Sequence, residues 1–166
     1  MNYCNELFLK FKSLSENEGF ARSSVASFCL PLNPSIEVIT DIKTAVSEAV
    51  TNCVVHAYPN TVGDIEVYVK LSDNKIYISI KDFGVGIFDI LKAKEPFYTS
   101  KPEGERSGMG FTVMESFMDS MEIKSQLNKG TEVILVKNLE DNNVAVGGWN
   151  AGLWNNNFTS WKSSKQ

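Results

Sequence analysis

Apolar residues recur along this chain with two periods, and the switches between them divide it into elements. Leu7, Leu9 and Phe11 alternate with Phe8, Lys10 and Lys12, which predicts a short strand. Ser15 followed by Glu18 has the capping-box spacing and opens a helix through roughly residue 30. Asn33-Pro34 starts a second helix, with Asn as cap and Pro at the first helical position. Along it Ile36, Ile39, Ile42, Val46, Ala49, Val50, Cys53 and Ala57 form one apolar stripe, and Pro59-Asn60 ends it. Alternation returns at 65–71 and 76–82, two strands that Ser72-Asp73-Asn74 joins as a hairpin. Regular periodicity disappears over 83–110, a length that in a compact domain signals function or disorder. Phe111, Met114, Phe117 and Met118 then give a third amphipathic helix, and strands at 121–126 and 131–136 flank the turn Asn128-Lys129-Gly130. The order predicts an α+β fold: a two-layer sandwich of a mixed, mostly antiparallel sheet with helices on one face.

Composition narrows this further. A chain of 166 residues suits one domain, here 1–141, followed by a tail at 142–166. The tail holds all three tryptophans among Asn and Gly, with little other apolar content, and reads as disordered. The whole chain's hydrophobic fraction of 43% and charged fraction of 22% belong to an ordinary globular protein. A formal net charge of -4 and a pI near 5.1 argue against a broad basic surface, so no direct nucleic-acid partner is expected. Cys4, Cys29 and Cys53 lack the close pairing of a disulfide framework or zinc knuckle, which fits a reducing cytoplasm. Neither a signal peptide nor a membrane-spanning segment is legible, so a cytoplasmic location away from membranes is expected.

Within the second helix, Glu48, Asn52 and His56 interrupt a run of Val and Ala at four-residue intervals. At 100° per residue, with Val46 at zero, Ala49, Val50, Cys53 and Ala57 fall within about 60°. Glu48 and Asn52 lie near 200° and 240°, almost opposite that stripe, and His56 nearer its edge at about 280°. Alone, this fits an ordinary solvated face better than it fits a site. His56 reads as part of the frame, because one histidine without a second ligand makes no metal site.

Two further stretches carry chemistry. In "KDFGVGI" a carboxylate, Asp82, ends a strand at a turn containing Gly84 and Gly86; it could accept a hydrogen bond from an exocyclic amino group or cap a tight turn. In "TSKPEGERSGMGF", Gly108 and Gly110 open a helix whose free N–H groups suit an anion, and Lys101 and Arg106 add positive charge; a glycine-rich flexible loop fits equally. The Asp-Phe-Gly triplet lacks the other marks of a eukaryotic protein kinase, and there is no Walker A sequence.

In combination and order these boxes are similar to the GHKL ATP-binding superfamily, whose nucleotide site is the Bergerat fold. "VSEAVTNCVVHAY", "DFGVGI", "PFYTSKPEGERSGMGFTVMESFMD" and "NKGT" resemble more closely its small bacterial branch of anti-sigma serine kinases. The resemblance covers about 3–138. It implies ATP or ADP with Mg2+ as cofactors, Asn52 on the metal and Glu48 as catalytic base. It further implies Asp82 at the adenine amino group, Gly84 and Gly86 in the turn beside the nucleotide, and Thr131 near the adenine pocket. Gly108, Gly110, Arg106 and Lys101 would serve the phosphates. Arg22 would face protein partners, namely a sporulation sigma factor and an anti-anti-sigma factor phosphorylated on serine, and the chain would form a homodimer. An ATPase of the same superfamily and a non-catalytic ATP-sensing module that binds sigma remain the alternatives.

Overall fold

A computed structural model describes residues 4–72, 74–96 and 108–139. Lys101, Arg106 and the tail from 142 lie outside the described residues. The chain runs β1 (Cys4–Lys12), α1 (Glu16–Cys29), α2 (Ile36–Asn52), β2 (Asp64–Ser72), β3 (Lys75–Asp82), α3 (Ile90–Ala93), α4 (Gly110–Phe117), β4 (Ser120–Gln126) and β5 (Gly130–Asn138). The strands form one five-stranded sheet in the order β1-β2-β3-β5-β4. Every neighbouring pair among the described strands is antiparallel, so the sheet is not mixed as expected. The predicted hairpin is present, with Ser72 opposite Lys75 and Ile65 opposite Asp82. The α+β architecture is as expected, with one short addition: α3 lies inside the stretch without periodicity, where four residues are too few to show a helical period.

Period two explains the sheet's two faces. Ile65, Val67, Val69 and Leu71 of β2 and Ile76, Ile78 and Ile80 of β3 are fully buried and join one core with α1, α2 and α4. From α2 that core takes Ile42, Ala45, Val46, Ala49 and Val50. Burying each large aliphatic side chain contributes roughly 1.5–3 kcal/mol, more than helix propensity supplies along this Val- and Ile-rich segment. Tertiary packing therefore decides that it is helical. α2 is held between α1 and α4. A half-buried ion pair of 2.9 Å joins Lys137 of β5 to Asp41 of α2, and the same ammonium donates to the Phe117 carbonyl at the end of α4 at 2.7 Å. This one lysine fixes three elements relative to each other.

Several local expectations shift. Ser15 has helical dihedrals (φ −61°, ψ −31°) and makes no side-chain cap, because that backbone does not present its hydroxyl to the first turn. Asn17 Nδ2 bonds the Lys12 carbonyl at 2.9 Å instead. Asn33 takes a left-handed conformation (φ 49°) that closes the short 3-10 turn Leu30–Leu32, so it cannot cap α2. Ser35, extended at ψ 160°, does so by accepting the Val38 N–H at 3.2 Å. Ile36, the first residue of α2, lies beyond the reach of the sheet and is 88% exposed, outside the buried stripe. Finally, α2 does not run uniformly to Pro59: from Cys53 to Ala57 it widens into a π-helical turn. Among the described residues no helix is long and apolar enough to cross a membrane.

Candidate functional site

The C-terminal half of α2 places two clusters side by side. In the first, Glu48 and Asn52 project one turn apart and are half-buried. What covers them is the start of α4. A methyl group added to Gly110 would lie 3.0 Å from Glu48 Oε2, 3.3 Å from Asn52 Nδ2 and 3.4 Å from Asn52 Oδ1. Glycine at this position therefore leaves room directly beside a carboxylate and an amide. Met109, at the N-cap of α4, gives it no side-chain cap, so the first-turn N–H groups must find other acceptors. Gly108 just before it adopts a left-handed φ of 62°. The core stripe faces away from this cluster, as the helical angles predict.

The second cluster surrounds Asp82, the last residue of β3, which is 4% exposed. Its Oδ1 accepts the Gly84 N–H at 2.9 Å and the Thr131 N–H at 3.2 Å. Burial pushes its carboxyl above the ordinary carboxylate value, opposed by those two amides and by the Cys53 thiol. The thiol, fully enclosed beneath the carboxylate, is itself pushed well up by desolvation and then by Asp82. Because Cys53 follows Asn52 directly, the two clusters share one turn of chain. Two of the glycines are demanded by space and by backbone. Gly130 (φ 101°) sits where a side chain would overlap the Asp82 carbonyl, and Gly86 (φ 72°) where one would overlap the Gln126 carbonyl.

Sequence reasoning missed what ties the two clusters together. The π turn ends with the Ala57 carbonyl accepting the Val85 N–H at 2.9 Å, so the helix end grips the glycine turn. Tyr58 Oη accepts from Phe83 N at 2.8 Å and donates to the Asp64 carbonyl at 2.6 Å. Ser125 Oγ accepts the Ile87 N–H at 2.7 Å and lies 2.9 Å from Thr131 Oγ1. An aromatic immediately after the apolar stripe and before Pro59 was the one available signal for Tyr58. An open cavity of about 320 Å³ borders the outer side of this turn, lined by Ala57, Tyr58, Pro59, Gly84, Val85 and Asn128, among others. Of the predicted site residues among those described, it touches only Gly84 and neither Glu48 nor Asp82, so it is not the space between those two.

Arg22 stands apart on α1, exposed and paired with Glu18 at 3.5 Å. Among the described residues, no group of three or more His, Cys, Asp or Glu could hold a metal ion.

Residues 11–137 match the histidine kinase-like ATPase domain family. Over 137 residues the chain is 54% identical to the anti-sigma F factor of Caldanaerobacter subterraneus subsp. tengcongensis, covering 82% of this chain and 96% of that protein. The chain belongs to the anti-sigma F factors, within the histidine kinase-like ATPases. The anti-sigma F factor of Oceanobacillus iheyensis is 56% identical over 137 residues, 81% of this chain and 93% of its own length. The fold is shared with the crystal structure of the RsbU and RsbW domains of a Mycobacterium tuberculosis protein, at a TM-score of 0.60 and 20% identity. That match covers 80% of this chain and 32% of the larger one. Family membership makes this a nucleotide-binding domain of the kinase-like type.

Proposed function

We propose that this chain is an anti-sigma factor and an ATP-dependent serine kinase that phosphorylates its sigma factor's antagonist. The observation that carries the reading is the pairing of Glu48 with Asn52 beside Gly110, one residue from the cysteine that underlies Asp82. The Asp82 carboxylate would take the adenine amino group. Its Oδ1 is fixed by two backbone donors, and the carboxylate keeps further acceptor capacity at Oδ2. Thr131 would border the same pocket, and the Gly84–Gly86 turn would lie along the nucleotide. Gly108, Gly110, Lys101 and Arg106 would serve the phosphates.

Mg2+ fits the donor set in a limited way. The Asn52 amide oxygen is a hard neutral ligand beside open space, and the described carboxylates form no cage, so phosphate and water oxygens would complete the shell. There the ion would neutralise triphosphate charge.

In the proposed reaction a serine oxygen of the antagonist bonds to the γ-phosphorus, and the bond from that phosphorus to the β–γ bridging oxygen breaks, releasing ADP. Glu48 accepts the hydroxyl proton. Since phosphoryl transfer asks mainly for positioning and charge neutralisation, a base held one turn from a metal-binding amide suffices. Arg22 would meet the sigma factor and its competitor, and a homodimer would share one sigma molecule. ATP would favour sigma binding and phosphorylation; ADP would favour a stalled complex with the unphosphorylated antagonist. Incubation with γ-labelled ATP, Mg2+ and candidate antagonists tests the reading. Label on one serine of an antagonist is expected, and label released only as inorganic phosphate would contradict it.

A further inference from the structure

The β2–β3 ladder ends at the pair Ile65–Asp82, and its next rung would join Asp64 to Phe83. That rung is replaced by a side chain. Tyr58 Oη takes the Phe83 N–H at 2.8 Å and gives its proton to the Asp64 carbonyl at 2.6 Å. The phenol stands between two backbone groups that would otherwise pair with each other. It parts the strands where Asp82 must leave the sheet and enter the glycine turn. The ring is itself seated against Gly63, where any side chain would overlap it. On the other side of the turn, Gly84 packs on the Ala57 carbonyl, one residue before Tyr58.

We propose that Tyr58 is a positioning residue for adenine recognition. Its hydroxyl replaces one rung of the ladder and so sets where the Asp82 carboxylate stands. This rests on the reading of Asp82 as the acceptor of the adenine amino group. The hydroxyl suits the task chemically, because one proton and two lone pairs let it accept from an amide and donate to a carbonyl at once. Burial also raises its ionisation above the ordinary tyrosine value, which keeps that proton in place. Phenylalanine would fill the same space and leave both backbone groups without their partner.

The test uses the full chain and two ligands, ADP and its analogue lacking the exocyclic amino group (purine riboside diphosphate). The wild type is expected to bind ADP at least tenfold more tightly. Tyr58→Phe is expected to lower ADP affinity about five- to tenfold and leave the analogue's affinity unchanged, so that discrimination shrinks. Equal losses for both ligands, or unchanged discrimination, would overturn the role of Tyr58 while leaving Asp82 in place. A wild type that does not discriminate would overturn the Asp82 reading, and this proposal with it. Amide hydrogen exchange on the wild type supplies an arm that needs no variant. The Phe83 amide should be protected to a degree comparable with Lys81 in the ladder, and a Phe83 amide exchanging at the free-chain rate would overturn the proposal.

Discussion

The surroundings of Asp82 and Glu48 differ in almost every physical respect. Asp82 is enclosed, takes backbone donors from Gly84 and Thr131, and stands at a point where the ends of α2, β3 and β5 converge. Glu48 is half-buried on the helix face away from the core, next to space that Gly110 leaves open. The first environment suits recognition: a fixed, desolvated acceptor discriminates well because a wrong partner leaves it unpaired. The second suits proton transfer, which needs access and room for a substrate hydroxyl. The difference teaches that one helix can serve two environments: α2 bears Glu48 on its outer face, and its next turn, through Cys53 and the Ala57 carbonyl, supports the strand end and glycine turn that hold Asp82.

Substitutions can break this contrast, and the largest effect falls on the enclosed side. Gly130→Ala places a methyl against the Asp82 carbonyl at a φ of 101°. It is expected to cost roughly 3 kcal/mol and lower Tm by about 10 °C in a thermal melt, with nucleotide binding lost alongside. Next comes Asp82→Asn, which keeps Oδ1 for the two amides but offers adenine a mixed donor and acceptor. A 10- to 100-fold loss of ATP affinity by calorimetry is expected, with the fold retained. On the open side, Gly110→Ala meets only flexible side-chain atoms 3.0–3.4 Å away. Stability should hold or rise by up to about 1 kcal/mol, while phosphoryl transfer falls about tenfold as the room beside Glu48 closes. A variant that loses stability and activity together would erase the proposed contrast.

The smallest effect is in pH. The folded Asp82 carboxyl titrates above its unfolded value, chiefly through burial. Its contribution to stability is therefore fully present below the unfolded pKa and is lost as pH rises through the folded one. Asp82→Asn lacks this titration, so melts from acid to neutral pH should show the variant gaining on the wild type. In the wild type, ATP affinity should decline on acidification from above the usual carboxylate range, since a protonated carboxyl no longer accepts from adenine as well.

How much of this was legible in the chain depends on the range of the forces involved. Alternation located β2 and β3, and the 100° step placed Glu48 and Asn52 opposite the core, because both properties are local. The π turn at Cys53–Ala57 was not legible. It depends on a distant amide, that of Val85, which holds the Ala57 carbonyl. The cap of α2 moved from Asn33 to Ser35 because the preceding 3-10 turn required Asn33 in a left-handed conformation. Gly110 could be read as opening a helix or as part of a flexible loop, but not as the neighbour of Glu48 and Asn52, which lie some sixty residues earlier. Asp82 could be read as a turn cap or a recognition group, and the geometry shows that its Oδ1 does cap the turn.

The central claim is that Glu48 reacts while Asp82 recognises. It is tested most directly by measuring ATP affinity and antagonist phosphorylation on Glu48→Gln. The account predicts affinity within about threefold of the wild type and transfer at saturating ATP reduced about 100-fold or more. Phosphorylation at the wild-type rate would contradict it.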